Sequence, residues 1–241
     1  MTGKEMTDRL VKNQIPCGAD LADKLVTYLH LLREWNEKMD LTGDASDEEW
    51  TDRHLMDSLS VLRTHLIPES SRLIDVGTGA GFPGMILAIA RPDLSVTLLD
   101  SQQKRLRFLE AVTNSLGLDH VTLLHARAED AARQTELRES FDLAVARAVA
   151  PLNVLCEYLL PFVRVGGSAL CWKGPALTEE QETGRRAAFL LGGRLKDPVF
   201  CPIEGRDWNH WIQPVEKRRT TPAEYPRKAG MPASHPLAAL P

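Results

Sequence analysis

An α/β fold with a mostly parallel, Rossmann-like sheet of seven strands and an N-terminal helical extension is predicted by three observations. Short apolar runs alternate with helix-compatible stretches through the middle of the chain. A glycine-rich turn follows the first run, and acidic residues or an arginine fall just past the ends of the later ones. Strands separated by helices imply right-handed crossovers and parallel pairing.

The elements follow in order. Residues 1 to 66 read as helical, because Leu21, Leu25, Tyr28, Leu29, Leu32 and Trp35 recur at three- and four-residue intervals on one face. That stripe is assigned to core packing, and Trp35-Asn36 to orienting the turn that follows. Residues 67 to 214 carry the sheet. Leu73, Ile74 and Val76 suit a buried strand, and Met85 to Ala90 a helix broken by Arg91-Pro92-Asp93. Ser95 to Leu99, Val121 to Leu124, Phe141 to Ala146 and Ser168 to Cys171 read as further parallel strands, the last after a Gly166-Gly167 turn. Two antiparallel strands are expected near Leu195 to Cys201 and Trp208 to Val215. Residues 215 to 241 form a basic tail that Pro222, Pro226, Pro232 and Pro236 should keep from becoming a regular helix.

Composition sets bounds. The 241 residues carry a formal charge of -4 and 43% hydrophobic residues, which suits a globular enzyme and argues against a uniformly basic nucleic-acid protein. Any RNA contact must come from local clusters: Arg53 and His54; Lys104, Arg105 and Arg107; Lys173; or the tail, where Lys217 to Arg219 and Tyr225 to Lys228 combine charge with an aromatic ring. Cys17, Cys156, Cys171 and Cys201 lack C-x-x-C spacing, so neither a metal site nor a secreted disulfide pattern is expected. No signal segment or long apolar run is seen, so the expected location is the cytoplasm, away from membranes.

The most informative segment is Arg72 to Gly84, R-L-I-D-V-G-T-G-A-G-F-P-G. A dinucleotide fingerprint would need glycine at position 82, where Phe82 stands. The observed G-x-G-x-G, with Asp75 two residues before Gly77, resembles the first motif of class I S-adenosylmethionine (SAM) dependent methyltransferases. On that resemblance Gly77 and Gly79 bring backbone against SAM, and Asp75 organises the loop and the amino-acid end of the cofactor. Asp100, at the end of the second strand, is placed for ribose hydroxyls or for capping the next helix with Ser101. Glu129 could read the adenine or sit as a solvated acid at a helix start. Arg147 interrupts an apolar stretch, and an unpaired buried guanidinium is costly, so it should point into the cleft.

The series L-I-D-V-G-T-G-A-G-F-P-G, L-L-D-S-Q-Q-K-R-L-R-F-L, A-R-A-E-D and A-V-A-R-A-V-A-P-L resembles the bacterial 16S ribosomal RNA guanine-N7 methyltransferase family, also called glucose-inhibited division protein B. Leu31 to Thr42, Arg53 to Leu59 and Thr221 to Leu237 extend the likeness over nearly the whole chain. Asp40, where asparagine is usual, and Gly43-Asp44, where an apolar residue often follows, depart from it. The resemblance implies SAM contacts at Gly77, Phe82, Ala128, Glu129 and Arg147, with 16S rRNA or the small ribosomal subunit as partner. It also implies direct SN2 transfer to N7 of the guanine equivalent to position 527. Guanine N7 has a free lone pair, so no general base is required, and Arg147 acts as a catalytic organiser rather than a proton acceptor.

Overall fold

The structure is a computed structural model that describes residues 1–43 and 46–238, so Asp44 lies outside the described residues. Helices α1 (Gly3–Lys12), α2 (Leu21–Asn36) and α3 (Asp47–Trp50) open the chain, and α3 runs into a π-helical segment, Thr51–Met56. Helix α4 (Asp57–Leu59) and a 3-10 turn, Ser60–Arg63, complete the helical region. The alternating part comprises β1 (Arg72–Val76), α5 (Gly84–Ala90), β2 (Ser95–Asp100), α6 (Gln103–Leu116), β3 (Val121–His125), α7 (Ala128–Ala131), β4 (Phe141–Arg147), α8 (Leu152–Leu159), β5 (Val163–Lys173) and α9 (Leu177–Leu190). Strands β6 (Gly193–Leu195), β7 (Val199–Phe200) and β8 (Trp211–Lys217) follow, and α10 (Met231–Ser234) lies in the tail.

The sheet order is β3-β2-β1-β4-β5-β8-β6, with β7 also paired to β8. The first five strands are parallel, and β8 is antiparallel to its neighbours. This is the predicted α/β architecture with one correction in strand count: among the described residues the sheet has eight strands rather than seven. The expected strand from Leu195 to Cys201 breaks at Asp197-Pro198, because proline cannot donate to a ladder, and its two pieces pair separately with β8. A second correction concerns Gly166-Gly167, which lie inside β5 instead of forming a turn before it. A Cβ on Gly167 would come within 2.4 Å of the Asp142 carbonyl, so the glycine lets β5 approach β4 at a register shift.

Alternation along the strands builds two cores. Leu73, Val145, Leu170 and Trp172 face one side, where the stripe of α2 (Leu25, Tyr28, Leu29, Leu32) packs with α5 and α6, as the periodicity predicts. Tyr28 makes edge contacts with Phe82 and Phe108 and donates its hydroxyl to the Ala80 carbonyl at 2.6 Å. The N-terminal helices therefore brace the glycine turn. Ile74, Val76, Ala144 and Ala146 face the other side, against α7, α8 and α9. Among the described residues no helix is long and apolar enough to cross a membrane.

The glycine turn has little slack. Gly84 donates its N–H to Asp75 Oδ2 at 2.8 Å, and a Cβ there would fall 2.5 Å from Asp75 Cβ and 2.6 Å from Leu98 Cδ2. Gly84→Ala is expected to cost about 1 to 3 kcal/mol by overpacking. A urea midpoint equal to the parent's would contradict that close approach.

The tail departs from expectation in two ways. Pro232 does not prevent a helical turn: it occupies the opening positions of α10, where its missing N–H is tolerated. Much of the tail's charge also holds the tail in place. Lys217 is fully buried, donates to the Leu160 carbonyl and Thr221 Oγ1, and pairs with Glu139 at 3.0 Å. Arg227 pairs with the buried Glu157 at 2.7 Å, and Tyr225 packs against the α8 side of the core. Lys217, Tyr225 and Arg227, expected at an RNA surface, are thus engaged within the fold, the two cations by acids on the body, of which Glu157 is buried.

Candidate functional site

Two cavities open at the carboxyl ends of the parallel strands, where a doubly wound sheet places its ligands. The first, about 380 Å³, is lined by Gly77, Asp100, Arg105, Ala128, Glu129 and Gly230, with Val76, Leu99, Val149 and Tyr158 as apolar walls. Backbone N–H groups of Gly77 and Thr78 both donate to the Leu99 carbonyl, at 2.8 and 3.0 Å, which fastens the glycine turn to β2. Asp100 is 2% exposed; its Oδ2 accepts the Gly79 N–H at 2.9 Å and its Oδ1 the Gln102 N–H at 2.8 Å. Gln102, not Asp100 or Ser101, is the N-cap residue of α6. Glu129 is buried at the start of α7 and accepts the Gly230 N–H at 2.8 Å, so the tail closes one side of the cavity.

Arg105 belongs to this wall rather than to an RNA-facing cluster with Lys104 and Arg107. Its guanidinium approaches Asp100 Oδ2 at 3.4 Å, and its buried Nε has no hydrogen-bond partner among the described residues. Asp75 lies beneath the glycine turn and lines neither cavity. Its Oδ2 accepts from Thr78 Oγ1 at 2.7 Å and from the Gly84 N–H, whereas its Oδ1 is buried without a partner among the described residues. Burial pushes its pKa up to about 6 against those two hydrogen bonds.

The second cavity, about 360 Å³, is lined by Arg53, His54, Asp57, Arg147, Trp172, Lys173, Glu180 and His210, and shares Ala148 with the first. Arg147, at the end of β4, is the centre of its polar wall. It donates to Asp57 Oδ2 at 2.8 Å, the Arg53 carbonyl at 3.0 Å and His54 Nδ1 at 2.9 Å, and its guanidinium lies 4.8 Å from the Phe82 ring centroid. The π-helical segment and the first residue of α4 present all three acceptors to one guanidinium, and such irregular helical turns recur at functional sites. Asp57 Oδ1 takes the His210 Nδ1–H at 2.8 Å, and the Asp57 carbonyl takes the Trp172 indole N–H at 3.0 Å. Burial alone would raise the Asp57 pKa, but the His210 hydrogen bond and the Arg147 charge hold it below the usual carboxylate value.

His54 stacks on Phe82 with centroids 4.6 Å apart. Burial, then the Arg147 charge, push its pKa down to about 3. It is therefore neutral, with Nδ1 accepting from Arg147 and the proton on Nε2 facing Thr42 Oγ1 at 3.3 Å. Any charge that the Arg53-His54 pair offers a phosphate therefore comes from Arg53 alone. Because the folded-state pKa lies below the unfolded value of 6.5, His54 contributes stability in full above about 6.5 and loses it as pH falls toward about 3. Between about pH 7 and about pH 4.5 the urea midpoint should fall less in His54→Gln than in the parent. Equal falls would mean that His54 is not buried neutral.

Of the residues singled out in the sequence, Gly77, Asp100, Ala128 and Glu129 meet in the first cavity. Arg147, with Phe82 beneath it, stands at the second, and Asp75 and Gly79 shape the loop. The hub made by Asp57, His210 and Trp172 was not legible as a unit. Asp57 lies within Arg53 to Leu59, one of the segments that carry the family resemblance, and nothing in the local sequence marked His210.

The chain matches the GidB family model, described as rRNA small subunit methyltransferase G, over residues 21–207. The chain belongs to this family. It is 47% identical over 218 residues to the ribosomal RNA small subunit methyltransferase G of Clostridium perfringens (strain 13 / Type A), covering 90% of this chain and 91% of the relative. To the protein of that name from Alkaliphilus metalliredigens it is 46% identical over 214 residues, covering 89% and 90%. Among solved structures it resembles the methyltransferase complexed with the Haloferax volcanii Trm112 activator (TM-score 0.56, 14% identity, 72% of this chain and 94% of that one). It also resembles M. jannaschii TYW2 (TM-score 0.51, 17% identity, 64% and 72%). At such identities the structural likeness shows the class I methyltransferase fold alone.

This member of the GidB family is a SAM-dependent methyltransferase. The first cavity suits that cofactor on its own chemistry: two buried carboxylates, an arginine N–H lacking a partner, exposed glycine backbone and apolar walls match a ribose, an adenine and a zwitterionic amino-acid end.

Proposed function

We propose that the chain methylates N7 of a guanine in 16S ribosomal RNA, the one equivalent to position 527, in the cytoplasm and on naked RNA or the small ribosomal subunit. The observation that carries this reading is the second cavity beside the first, whose wall next to the shared Ala148 holds a guanidinium and a carboxylate hydrogen-bonded at both oxygens. Both Asp57 oxygens are engaged, one by Arg147 and one by His210, and the His54 lone pair is engaged by Arg147. Such a wall suits an acceptor that loses no proton.

Gly77, Ala128 and Glu129 would hold the adenosyl part, and Asp100, with a lone pair left on Oδ1, the ribose hydroxyls. Asp75 and Gly79 would keep the loop in shape. Phe82 and Arg147 would border the methyl end from the acceptor side. Bound there, SAM supplies an electrophilic methyl group that guanine N7 takes with its own lone pair in a direct SN2 displacement, so positive charge passes from sulfur to the purine and no proton leaves. The chain's own contribution is then alignment and exclusion of water, effects that reach about 7 to 11 kcal/mol when geometry is well fixed. Arg147, pinned by Asp57, His54 and the Arg53 carbonyl, keeps the boundary between the cavities rigid.

Purified protein incubated with methyl-labelled SAM and either naked 16S RNA or small subunits is expected to produce N7-methylguanosine in at least one of them. Label on neither RNA, with label on a small molecule or protein instead, would overturn the assignment.

A further inference from the structure

The second cavity contains an ion pair that the scheme above leaves unused. Lys173, the last residue of β5, and Glu180, on the first turn of α9, lie 2.5 Å apart with side chains only 10% and 20% exposed. Glu180 Oε2 accepts both from Lys173 and from the Leu152 N–H at 2.6 Å, while its Oε1 carries no hydrogen bond from the described residues. Lys173 Nζ uses a second proton on the Ala150 carbonyl at 3.3 Å, and its third is uncommitted. The wall therefore offers one N–H donor and one carboxylate acceptor side by side, two residues from the Ala148 boundary on the lysine side.

We propose that Lys173 and Glu180 select guanine, with Lys173 donating to O6 and Glu180 Oε1 accepting from N1–H and the 2-amino group. The proposal rests on the N7 reading. With N7 directed to the boundary, the next groups around the purine edge are O6 and then N1–H, an acceptor followed by a donor. Lys173, bonded to the segment just after Ala148, meets the first, and Glu180 beyond it meets the second. Adenine reverses the polarity at both positions, setting an amino group against the ammonium and a lone pair against the carboxylate. Methylation also leaves the purine cationic, so a carboxylate at its N1 edge binds the reacting base more strongly than the resting one. A purely structural pair joining β5, α8 and α9 would not respond to what the base carries at these positions.

The test is kcat/KM for short 16S RNA substrates whose target base is guanine, hypoxanthine (no 2-amino group) or 2-aminopurine (neither O6 nor N1–H), using the parent, Lys173→Met and Glu180→Gln. The parent should favour guanine over each analogue by about 10- to 100-fold. Glu180→Gln should lower the guanine rate and shrink the guanine-to-hypoxanthine ratio toward one, and Lys173→Met should lower the guanine rate and shrink the guanine-to-2-aminopurine ratio to the part that Glu180 sets at N1. SAM binding by calorimetry should stay at the parent value in both variants, because neither residue lines the first cavity. A parent that methylates guanine and hypoxanthine equally overturns the proposal without any variant, and so do variants that keep the parent's ratios. A parent that forms no N7-methylguanine on the unmodified RNA overturns the underlying reading as well.

Discussion

Arg147→Ala is expected to lower methyl transfer by about 100-fold or more while SAM affinity falls less than about tenfold. The asymmetry follows from where the guanidinium sits. It lies over Phe82 at the second cavity, outside the wall of the first, and holds Arg53, His54 and Asp57 together. Losing it frees the π-helical segment and α4 from β4 and leaves half of a buried carboxylate unpaired. The destabilisation should be about 3 kcal/mol, toward the lower end for breaking a buried pair because His210 still holds the other oxygen. Single-turnover kinetics with calorimetric SAM titration separates the two quantities. Near-normal turnover would remove Arg147 from the reaction, and a SAM affinity lost in step with turnover would move it into the cofactor wall.

Asp100→Ala is the complementary case. If Asp100 accepts one ribose hydroxyl, a charged hydrogen bond contributing ~1.5 to 3 kcal/mol, SAM affinity should fall by roughly tenfold to a few hundredfold, and by more if it accepts two. The same carboxylate also fixes Gly79 and Gln102, so some of the loss comes from loosening the glycine turn. Asp100→Asn, which keeps one acceptor oxygen, should fall between the two. Parent-like affinity in Asp100→Ala would reduce Asp100 to a loop brace.

The sheet and the cofactor side of the site were legible because they are local. Strand periodicity, the glycine turn and carboxylates just past strand ends are written within a few residues of the positions they determine, and parallel connectivity then brings Gly77, Asp100, Ala128 and Glu129 together. The acceptor side was less legible, since its groups come from distant segments: Asp57 from α4, Arg147 from β4, Glu180 from α9 and His210 from the loop before β8. Only the arginine announced itself, by its cost in an apolar run. The tail was misjudged for a related reason. Lys217 and Arg227 look like a basic surface until their partners Glu139 and Glu157, far earlier in the chain, are seen beside them. Charge counts do not distinguish a cation offered to phosphate from one neutralised within the fold.

The identity of the methyl acceptor is tested most directly by a map of N7-methylguanosine in 16S RNA from cells with and without this protein. One N7-methylguanosine, at the guanine equivalent to position 527, should be present with the protein and absent without it. An identical modification pattern in the two cells would contradict it.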